Sequence, residues 1–234
     1  MPLTTDDNLD GSPIVANTLM NRERRLSSYN RELGLNILDV LHAVPNRPAR
    51  WLDLCCGTAI ALNEAAARLG DDVEIVGVDL VDFFACPPNP PRLQLVTASV
   101  TTWRPGTTFD LITCVHGLHY VGDKLGLLSR IADWLTDDGL FAANFDVHSI
   151  RQENGIPAGR RLTTALRGQG VTYDGRTHRI RLNGRRTVTL PYRYLGADDQ
   201  AGPNYTGQPA VNSHYTWHPT RPGSHPRIPG TAAS

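Results

Sequence analysis

The sequence predicts an α/β domain built on a mostly parallel sheet. An apolar run around Asp53 breaks into the small residues Cys55-Cys56-Gly57-Thr58-Ala59, which open a helical pattern. A second apolar run follows about twenty residues later and ends on another acid, Asp79. A strand, a tight turn, a helix and a second strand with a carboxylate at its tip are typical of half of a nucleoside-binding crevice.

Helices and strands alternate through the first two thirds of the chain. Residues 1–20 are expected to form a flexible arm, and apolar residues at helical spacing predict one or two helices over residues 22–44. The elements predicted next are strands over about 50–56, 73–80, 93–98, 109–115 and 139–145, and helices over about 59–69 and 124–135.

After Asp146 the predicted secondary structure changes from alternating strands and helices to antiparallel strands. A short helix is predicted over about 158–167. Asn183-Gly184 stands between two alternating runs and predicts an extra β-hairpin. A polar loop leads to a last strand over about 210–217, and the residues 218–234 are expected to form a flexible tail rich in Pro and Gly. Residues 21–217 are therefore expected to form a single domain.

Composition and charge narrow the function classes. The 234 residues suffice for one α/β domain with a full core, and 40% hydrophobic content is ordinary for a globular protein. The formal net charge is zero, which argues against a strongly electrostatic nucleic-acid binder. The four cysteines lack a second Cys/His pair at zinc spacing, so we expect reduced thiols and no metal site.

The N-terminal residues are polar and acidic, without the apolar segment of a signal peptide. No run approaches the ~20 apolar residues that a membrane span needs. We therefore expect a cytoplasmic protein that binds neither membrane nor nucleic acid, and the sequence leaves the oligomeric state open.

The order and spacing of the motifs resemble the class I S-adenosylmethionine-dependent methyltransferases over about residues 30–217. Residues 52–59 align with the family's glycine-rich first motif and keep Gly57 of its three glycines. Asp79 matches the acid at the end of the second strand, and residues 115–121 match the segment after strand four. The resemblance implies a Rossmann-like, mostly parallel seven-stranded sheet with an antiparallel C-terminal strand, and S-adenosyl-L-methionine as the cofactor.

The resemblance also implies which residues bind the cofactor. Asp79 is expected to accept hydrogen bonds from the ribose diol, and Asp53 suits the methionine ammonium group. The family often has an acid near the end of strand three for the adenine amine, where this chain has Ala98-Ser99-Val100, so Ser99 is the expected replacement. The predicted cofactor-binding residues are Tyr29, Asp53, Cys55, Gly57, Asp79, Leu80, Ser99, Val100 and His116.

Polar residues after strand four and in the loop 198–208 predict the site of a small-molecule acceptor. In the resembled topology the connection between strands six and seven emerges on the cofactor side, and we assign the loop to that connection. The predicted substrate-binding residues are His119, Asp198, Asp199, Asn204 and Tyr205. His116, His119 and Tyr205 are the candidate catalytic residues, with His148 a further candidate for a general base.

Three functions remain open at this point. The leading one is methyl transfer to a small molecule, with a place in secondary metabolism. The second also uses S-adenosylmethionine but acts on its aminocarboxypropyl arm, by transfer or cyclisation that releases methylthioadenosine. The third is a non-catalytic module that binds S-adenosylmethionine. A nicotinamide dinucleotide is disfavoured because two glycines that would admit its pyrophosphate are absent.

Overall fold

The computed structural model describes residues 3–15, 24–85, 87–88 and 92–218. The predicted tail lies outside the described residues except for His218, and so do residues 16–20 of the predicted arm.

The described residues form ten strands in two sheets. They are β1 (Ala49–Leu54), β2 (Val73–Asp79), β3 (Leu93–Thr97), β4 (Phe109–Cys114), β5 (Leu135–Asn144), β6 (Ile150–Gln152), β7 (Thr172–Asp174), β8 (Arg179–Asn183), β9 (Tyr192–Asp198) and β10 (Asn212–Trp217). The main sheet has the order β3-β2-β1-β4-β5-β8-β7. Strands β1 to β5 run parallel, and β8 runs antiparallel to both β5 and β7. This order confirms the predicted seven-stranded, mostly parallel sheet with one antiparallel strand.

Helices cover both faces of the main sheet, which is why five of the six residues of the inner strand β1 are buried. One face packs against α2 (Leu26–Leu33), α3 (Ile37–His42) and α4 (Ile60–Leu69). The opposite face packs against α5 (Lys124–Trp134) and α6 (Gly159–Gly168). Within the predicted helical region, the described residues thus form two helices, α2 and α3, separated at the left-handed cap Gly34 (φ 63°).

A smaller, three-stranded sheet follows the main one, with the order β6-β10-β9. Strand β10 pairs in parallel with β6 and antiparallel with β9. The predicted last strand therefore exists as β10, but it belongs to this second sheet rather than to the main one. The strands that complete the main sheet are β7 and β8.

The predicted hairpin at Asn183-Gly184 is wrong. Residues 185–191 form no strand, and the hairpin at this edge is instead β7–β8, with its turn over residues 175–178. The Gly184 N–H donates to the Gly139 carbonyl at 2.7 Å, and the Arg185 N–H donates to the Thr136 carbonyl at 3.0 Å. These bonds hold the chain against the start of β5, so its donors are not available for pairing back onto β8.

Over its described part, the N-terminal segment is packed rather than loose. It contains a short helix, α1 (Asp6–Asp10), whose buried Leu9 contacts Ala197 and Val211 of the region around the second sheet. Thr4 pairs with Ala197 through two backbone hydrogen bonds of 2.7 and 2.9 Å. The expectation of a flexible arm therefore does not hold for residues 3–12. The longest described helix, α5, has 11 residues, and none of the described helices could span a membrane.

Candidate functional site

The turn after β1 has three residues in the left-handed region, at alternate positions. Cys55, Gly57 and Ala59 have φ values of 57°, 59° and 59°. These are the positions at which the resembled first motif has its three glycines. Cys55 and Ala59 adopt the conformation at a cost of about 1–2 kcal/mol each, whereas Gly57 does so freely. The turn therefore keeps its shape with a single glycine.

Gly117 makes room for the side chain of Cys55. A Cβ atom at Gly117 would overlap the Cβ of Cys55 and lie 2.8 Å from the Sγ of Cys114. A residue larger than glycine at 117 would therefore push against the turn. The sequence placed Gly117 in the segment after strand four, but its contact with Cys55 depends on the approach of two strand ends.

Asp79 ends β2 and faces the turn. It is 5% exposed, and its Oδ2 accepts the Gly57 N–H at 2.7 Å while its Oδ1 accepts the Val81 N–H at 3.2 Å. Burial raises the pKa of Asp79, and the backbone donors of Gly57 and Val81 oppose that shift. Each carboxylate oxygen still has acceptor capacity for a ligand hydroxyl.

Asp79 lies on a cavity at the tips of the parallel strands, which we call the first cavity. Its lining comprises Asp10, Ile14, Val15, Arg24, Cys55, Asp79, Leu80, Ser99, Val100, Thr101, Gly117, Tyr120 and Val121. Five of the nine predicted cofactor-binding residues are among these. The cavity volume is about 50 Å³, less than a nucleoside needs, so lining side chains would have to shift for a nucleoside to bind.

Two predicted cofactor ligands, Tyr29 and Asp53, lie behind the turn rather than on the first cavity. Asp53 is fully buried, and its carboxylate accepts hydrogen bonds from the Tyr29 hydroxyl at 2.8 Å and from the Thr113 hydroxyl. The Trp51 Nε1–H donates to Thr113 Oγ1 at 2.8 Å. Burial raises the pKa of Asp53 to about 7. Both Asp53 oxygens thus have partners within the protein, in a network that supports the end of β1.

His116 does not line the first cavity. It follows β4 with φ 60°, and its Nε2 is 3.4 Å from Glu32 Oε2. Burial lowers the pKa of His116 to about 4, so the ring is neutral at physiological pH. Its backbone N–H donates to Asn144 Oδ1 at 3.2 Å, which fixes the start of the next turn.

Arg24 is a lining residue of the first cavity that the sequence did not single out. Its guanidinium donates to the Val115 carbonyl at the end of β4. It also lies close enough to Asp53 and Asp79 to favour their ionised forms electrostatically. Because Arg24 precedes every recognisable motif, only its position in the fold reveals it.

A second cavity, of about 250 Å³, adjoins the turn Gly117–Tyr120. Gly117 and Tyr120 line the first cavity, whereas His119 of the same turn lines the second. The remaining lining residues of the second cavity are Asp146, His148, Ser149, Arg151, Ala201, Gly202, Pro203, Asn204, Tyr205, Ala210 and Asn212. Residues 146–151 follow β5, at the edge of the sheet where ligands bind in open α/β folds, and that position is the signal that could have indicated them.

Several buried polar atoms around the second cavity have no hydrogen-bond partner within the protein. They are both ring nitrogens of His119, Nδ2 of Asn204 and Nε of Arg151. His119 is only 1% exposed, and burial holds its pKa well below the usual range, with nearby His116 and Lys124 acting in the same direction. Buried polar groups are normally paired, so these atoms indicate a place for a polar ligand or ordered water.

The loop 198–208 reaches this cavity, but not by the predicted route. It connects β9 with β10, while the connection between the strands six and seven of the main sheet, β7 and β8, is the turn 175–178. The topological argument was therefore wrong. The Tyr205 ring stacks on His178 of that turn at 3.7 Å and meets His119 edge-on at 5.3 Å, both measured between ring centroids. Packing thus brings the loop to the same edge of the sheet.

The polar residues of the loop divide into two groups. Asn204 and Tyr205 line the second cavity, and burial raises the pKa of Tyr205, so its hydroxyl stays protonated. Asp198 Oδ1 accepts the Gln200 N–H at 2.9 Å, and Asp199 Oδ2 accepts the Ser12 hydroxyl at 2.6 Å. The structure does not place these two acids on the cavity, and Asp199 instead holds the N-terminal segment.

Lys124 connects the turn Gly117–Tyr120 with the second sheet. Its buried ammonium donates to the carbonyls of Val121 and Val211 at 2.9 and 2.8 Å and to the Ser213 hydroxyl at 2.8 Å. The Val211 N–H in turn donates to the His119 carbonyl at 2.9 Å. Burial lowers the pKa of Lys124 to about 7. These bonds fix His119 relative to the strand that follows the loop.

Comparison with known proteins identifies the family. A family model described as a methyltransferase domain matches residues 21–164, which is more than half of the chain. None of the curated proteins matches the sequence.

Solved structures with a similar arrangement include three methyltransferases. The plantazolicin methyltransferase BpumL is 12% identical, with 58% of this chain and 59% of that chain covered and a TM-score of 0.45. The amino pentose methyltransferase CalS10 from Micromonospora echinaspora is 20% identical, with 54% and 53% covered and a TM-score of 0.38. The N-methyltransferase NodS from Bradyrhizobium japonicum WM9 is 12% identical, with 78% and 100% covered and a TM-score of 0.44. The chain spans a little more than half the length of the first two.

Proposed function

Because the chain belongs to the methyltransferase-domain family, we propose that it transfers the methyl group of S-adenosylmethionine to a small-molecule acceptor in the second cavity. The observation that supports this proposal is the shared turn Gly117–Tyr120. Gly117 and Tyr120 line the first cavity and His119 lines the second. A methyl donor in the first cavity and a methyl acceptor in the second would therefore lie on either side of this four-residue turn.

The residues of the first cavity fit S-adenosylmethionine by their chemistry. Asp79 offers carboxylate oxygens to a ribose diol, and Leu80 and Val100 offer apolar walls to a base. Arg24 is a cation that suits the methionine carboxylate. The bound cofactor supplies an activated methyl group on its sulfonium, so the task of the protein is mainly to position the acceptor in line with it.

Asp53 takes a positioning role in this proposal rather than a direct contact with the cofactor. Its two oxygens are used by Tyr29 and Thr113, and it supports the turn from behind. Gly57 acts through its backbone, because its N–H orients the Asp79 carboxylate at 2.7 Å.

The second cavity favours an acceptor molecule with a carboxylate. At its unpartnered atoms, Arg151 Nε, the Asn204 amide and one ring nitrogen of His119 are donors, and only the other ring nitrogen accepts. Carboxylate oxygens would satisfy these donors. The carboxylate of Asp146 also lines the cavity, but its Oδ1 already accepts the His148 N–H at 2.9 Å.

His119 is the group best placed to hold the proton of the acceptor. It is buried and neutral, and a ring nitrogen without a partner can accept a hydrogen bond from an amine or hydroxyl. Tyr205 stays protonated and can orient the acceptor as a donor. His116 is set aside as a catalytic residue because it lies outside both cavities and faces Glu32.

The test is a product assay with S-adenosylmethionine and a panel of small amines and hydroxy compounds, each supplied as the free acid and as the matching primary amide. We expect S-adenosylhomocysteine as the product, with faster turnover of the free acids. Methylthioadenosine as the product would indicate chemistry on the aminocarboxypropyl arm instead. Binding of the cofactor without any product across the panel would indicate a binding module.

Variants of the loop sharpen this test. Asn204→Ala removes an amide that lines the second cavity, and Gln200→Ala removes an exposed amide of the same loop outside it. We expect Asn204→Ala to raise the KM for the acceptor while Gln200→Ala leaves it unchanged. A place in secondary metabolism and a cytoplasmic location stay predictions.

A further inference from the structure

One wall of the first cavity comes from the N-terminal segment, outside the residues that the family model matches. Next to Asp79, this part of the cavity is lined by Leu80 at the end of β2 and by Ser99 and Val100 after β3. Strand β3 is the edge strand beside β2, and the Ala98 N–H donates to the Asp79 carbonyl at 2.8 Å. A nucleoside whose ribose meets Asp79 would therefore extend its base toward Ser99.

Asp10 faces this region from the last position of α1. Its side chain is half-buried and lines the first cavity together with Ser99. Burial raises the pKa of Asp10, and the Ser99 hydroxyl, acting as a hydrogen-bond donor to it, opposes that shift. The carboxylate of Asp10 therefore lies beside Ser99 at the wall of the first cavity.

The second sheet holds α1 in place. Thr4 pairs with Ala197, Tyr194 donates to Asp6 Oδ1 at 2.7 Å, and Ser12 donates to Asp199 Oδ2 at 2.6 Å. These contacts lie on both sides of Asp10 in the sequence. The position of its carboxylate is thus set by long-range bonds, whereas Ile14 and Val15 lie beyond the last of them.

The side-chain hydroxyls at this end of the cavity do not by themselves distinguish one base from another. The hydroxyls of Ser99 and Thr101 bond to each other at 2.8 Å, and a hydroxyl both donates and accepts. A carboxylate only accepts, so it favours the exocyclic amine of adenine and disfavours the carbonyl oxygen of a 6-oxopurine.

We propose that Asp10 accepts a hydrogen bond from the exocyclic amine of the adenine and so makes the first cavity specific for an adenosyl group. The inference rests on the proposed function, because it takes the ligand of the first cavity to be S-adenosylmethionine. It assigns base recognition to a segment that the second sheet positions.

The test compares the affinity for S-adenosylhomocysteine with that for S-inosylhomocysteine, in which an oxygen replaces the exocyclic amine. Calorimetry is done on the wild type, on Asp10→Asn and on Asp7→Asn. Asp7 is an exposed acid of the same helix, so its variant is matched in charge and position on α1. Melting temperatures verify that all three proteins are folded.

We expect the wild type and Asp7→Asn to bind S-adenosylhomocysteine at least about tenfold more tightly than the inosine analogue. In Asp10→Asn the ratio should fall close to one, since an amide can accept from the amine or donate to the carbonyl. An unchanged ratio in Asp10→Asn overturns the inference and leaves the proposed function intact. A wild type that binds neither compound overturns the proposed function and this inference with it.

Discussion

The two cavities differ in how completely their polar groups are paired within the protein. Around the first cavity, Asp79 bonds to Gly57 and Val81, and Asp53 behind it bonds to Tyr29 and Thr113. Around the second cavity lie four of the eight unpartnered buried side-chain atoms found among the described residues. The polar groups of the first region are thus fixed by bonds within the protein, whereas the second region leaves donors for a ligand to satisfy.

This difference predicts that mutations in the two regions affect different properties of the protein. Removing a paired polar group near the first cavity leaves its partner unsatisfied, which destabilises the fold or weakens the ligand it orients. Removing an unpaired group from the second cavity breaks no bond in the free protein, so only catalysis should suffer.

The largest effect is expected for Asp79→Ala. The loss of hydrogen bonds from a ribose diol to a charged group should weaken binding of S-adenosylhomocysteine by about 1.5–3 kcal/mol. Calorimetry measures it, with Asp82→Ala as the control, because Asp82 is an exposed acid three residues further on. An unchanged affinity in a folded Asp79→Ala protein would remove Asp79 from the ligand site.

Tyr29→Phe tests whether the network behind the turn is structural. The substitution leaves Asp53 Oδ2 without its donor in a fully buried site, so the free energy of unfolding should fall by about 1–2 kcal/mol. Denaturant titration measures this loss. A decrease in cofactor affinity larger than the decrease in stability would instead point to a direct contact between this network and the ligand.

The contributions of Asp53 and Lys124 to the free energy of unfolding should also change in opposite directions with pH. The pKa of Asp53 is raised to about 7 from 3.8, so its stabilising contribution is full below pH 3.8 and lost as the pH rises toward 7. Compared with Asp53→Asn, the wild type should lose stability over that range by up to about 1.4 kcal/mol per pH unit. Parallel slopes for the two proteins would show that Asp53 does not titrate in this way.

Lys124, which lies between the turn Gly117–Tyr120 and the second sheet, should give the opposite dependence of the free energy of unfolding on pH. Its pKa is lowered to about 7 from 10.5 by burial, against the attraction of Asp146, Asp6 and Asp123. Its stabilising contribution is therefore full above pH 10.5 and is lost as the pH falls toward 7. Relative to Lys124→Met, the wild type should gain stability between pH 7 and 10, again by at most about 1.4 kcal/mol per pH unit.

The smallest change in stability is expected for His119→Phe. Phenylalanine keeps a ring of similar shape and removes two nitrogens that have no partner in the free protein. The free energy of unfolding should stay within about 0.5 kcal/mol of the wild type or rise, while turnover falls. A loss as large as that of Tyr29→Phe would mean that His119 is paired after all and would contradict the contrast between the two regions.

Much of the first cavity could be predicted from the sequence because many of its residues are close together in the chain. The turn 55–59, the strand ends and Asp79 lie within about thirty residues, and apolar periodicity places each of them. Asp53 shows the limit of that argument, since sequence spacing cannot tell whether a carboxylate at the end of β1 faces the cavity or Tyr29 and Thr113.

The second cavity could be predicted only in part. The sequence indicated His119, Asn204 and Tyr205, but for the loop it relied on a connection that the structure assigns to the turn 175–178. Arg24 and Arg151 belong to no motif, and apolar periodicity does not identify polar lining residues. The acids Asp198 and Asp199 bond to Gln200 and Ser12 instead of lining the cavity.

By itself the sequence determined the five parallel strands, the turn after β1 and the acid at the tip of β2, because each depends on a run of adjacent residues. The tertiary structure decided which strands complete the main sheet, where β10 pairs, and that α1 brings Asp10 to Ser99. Those features depend on bonds between residues far apart in the chain, such as Thr4 with Ala197 and Lys124 with Val211. Local periodicity does not predict such long-range pairings, since they form only when separate segments fold onto one another.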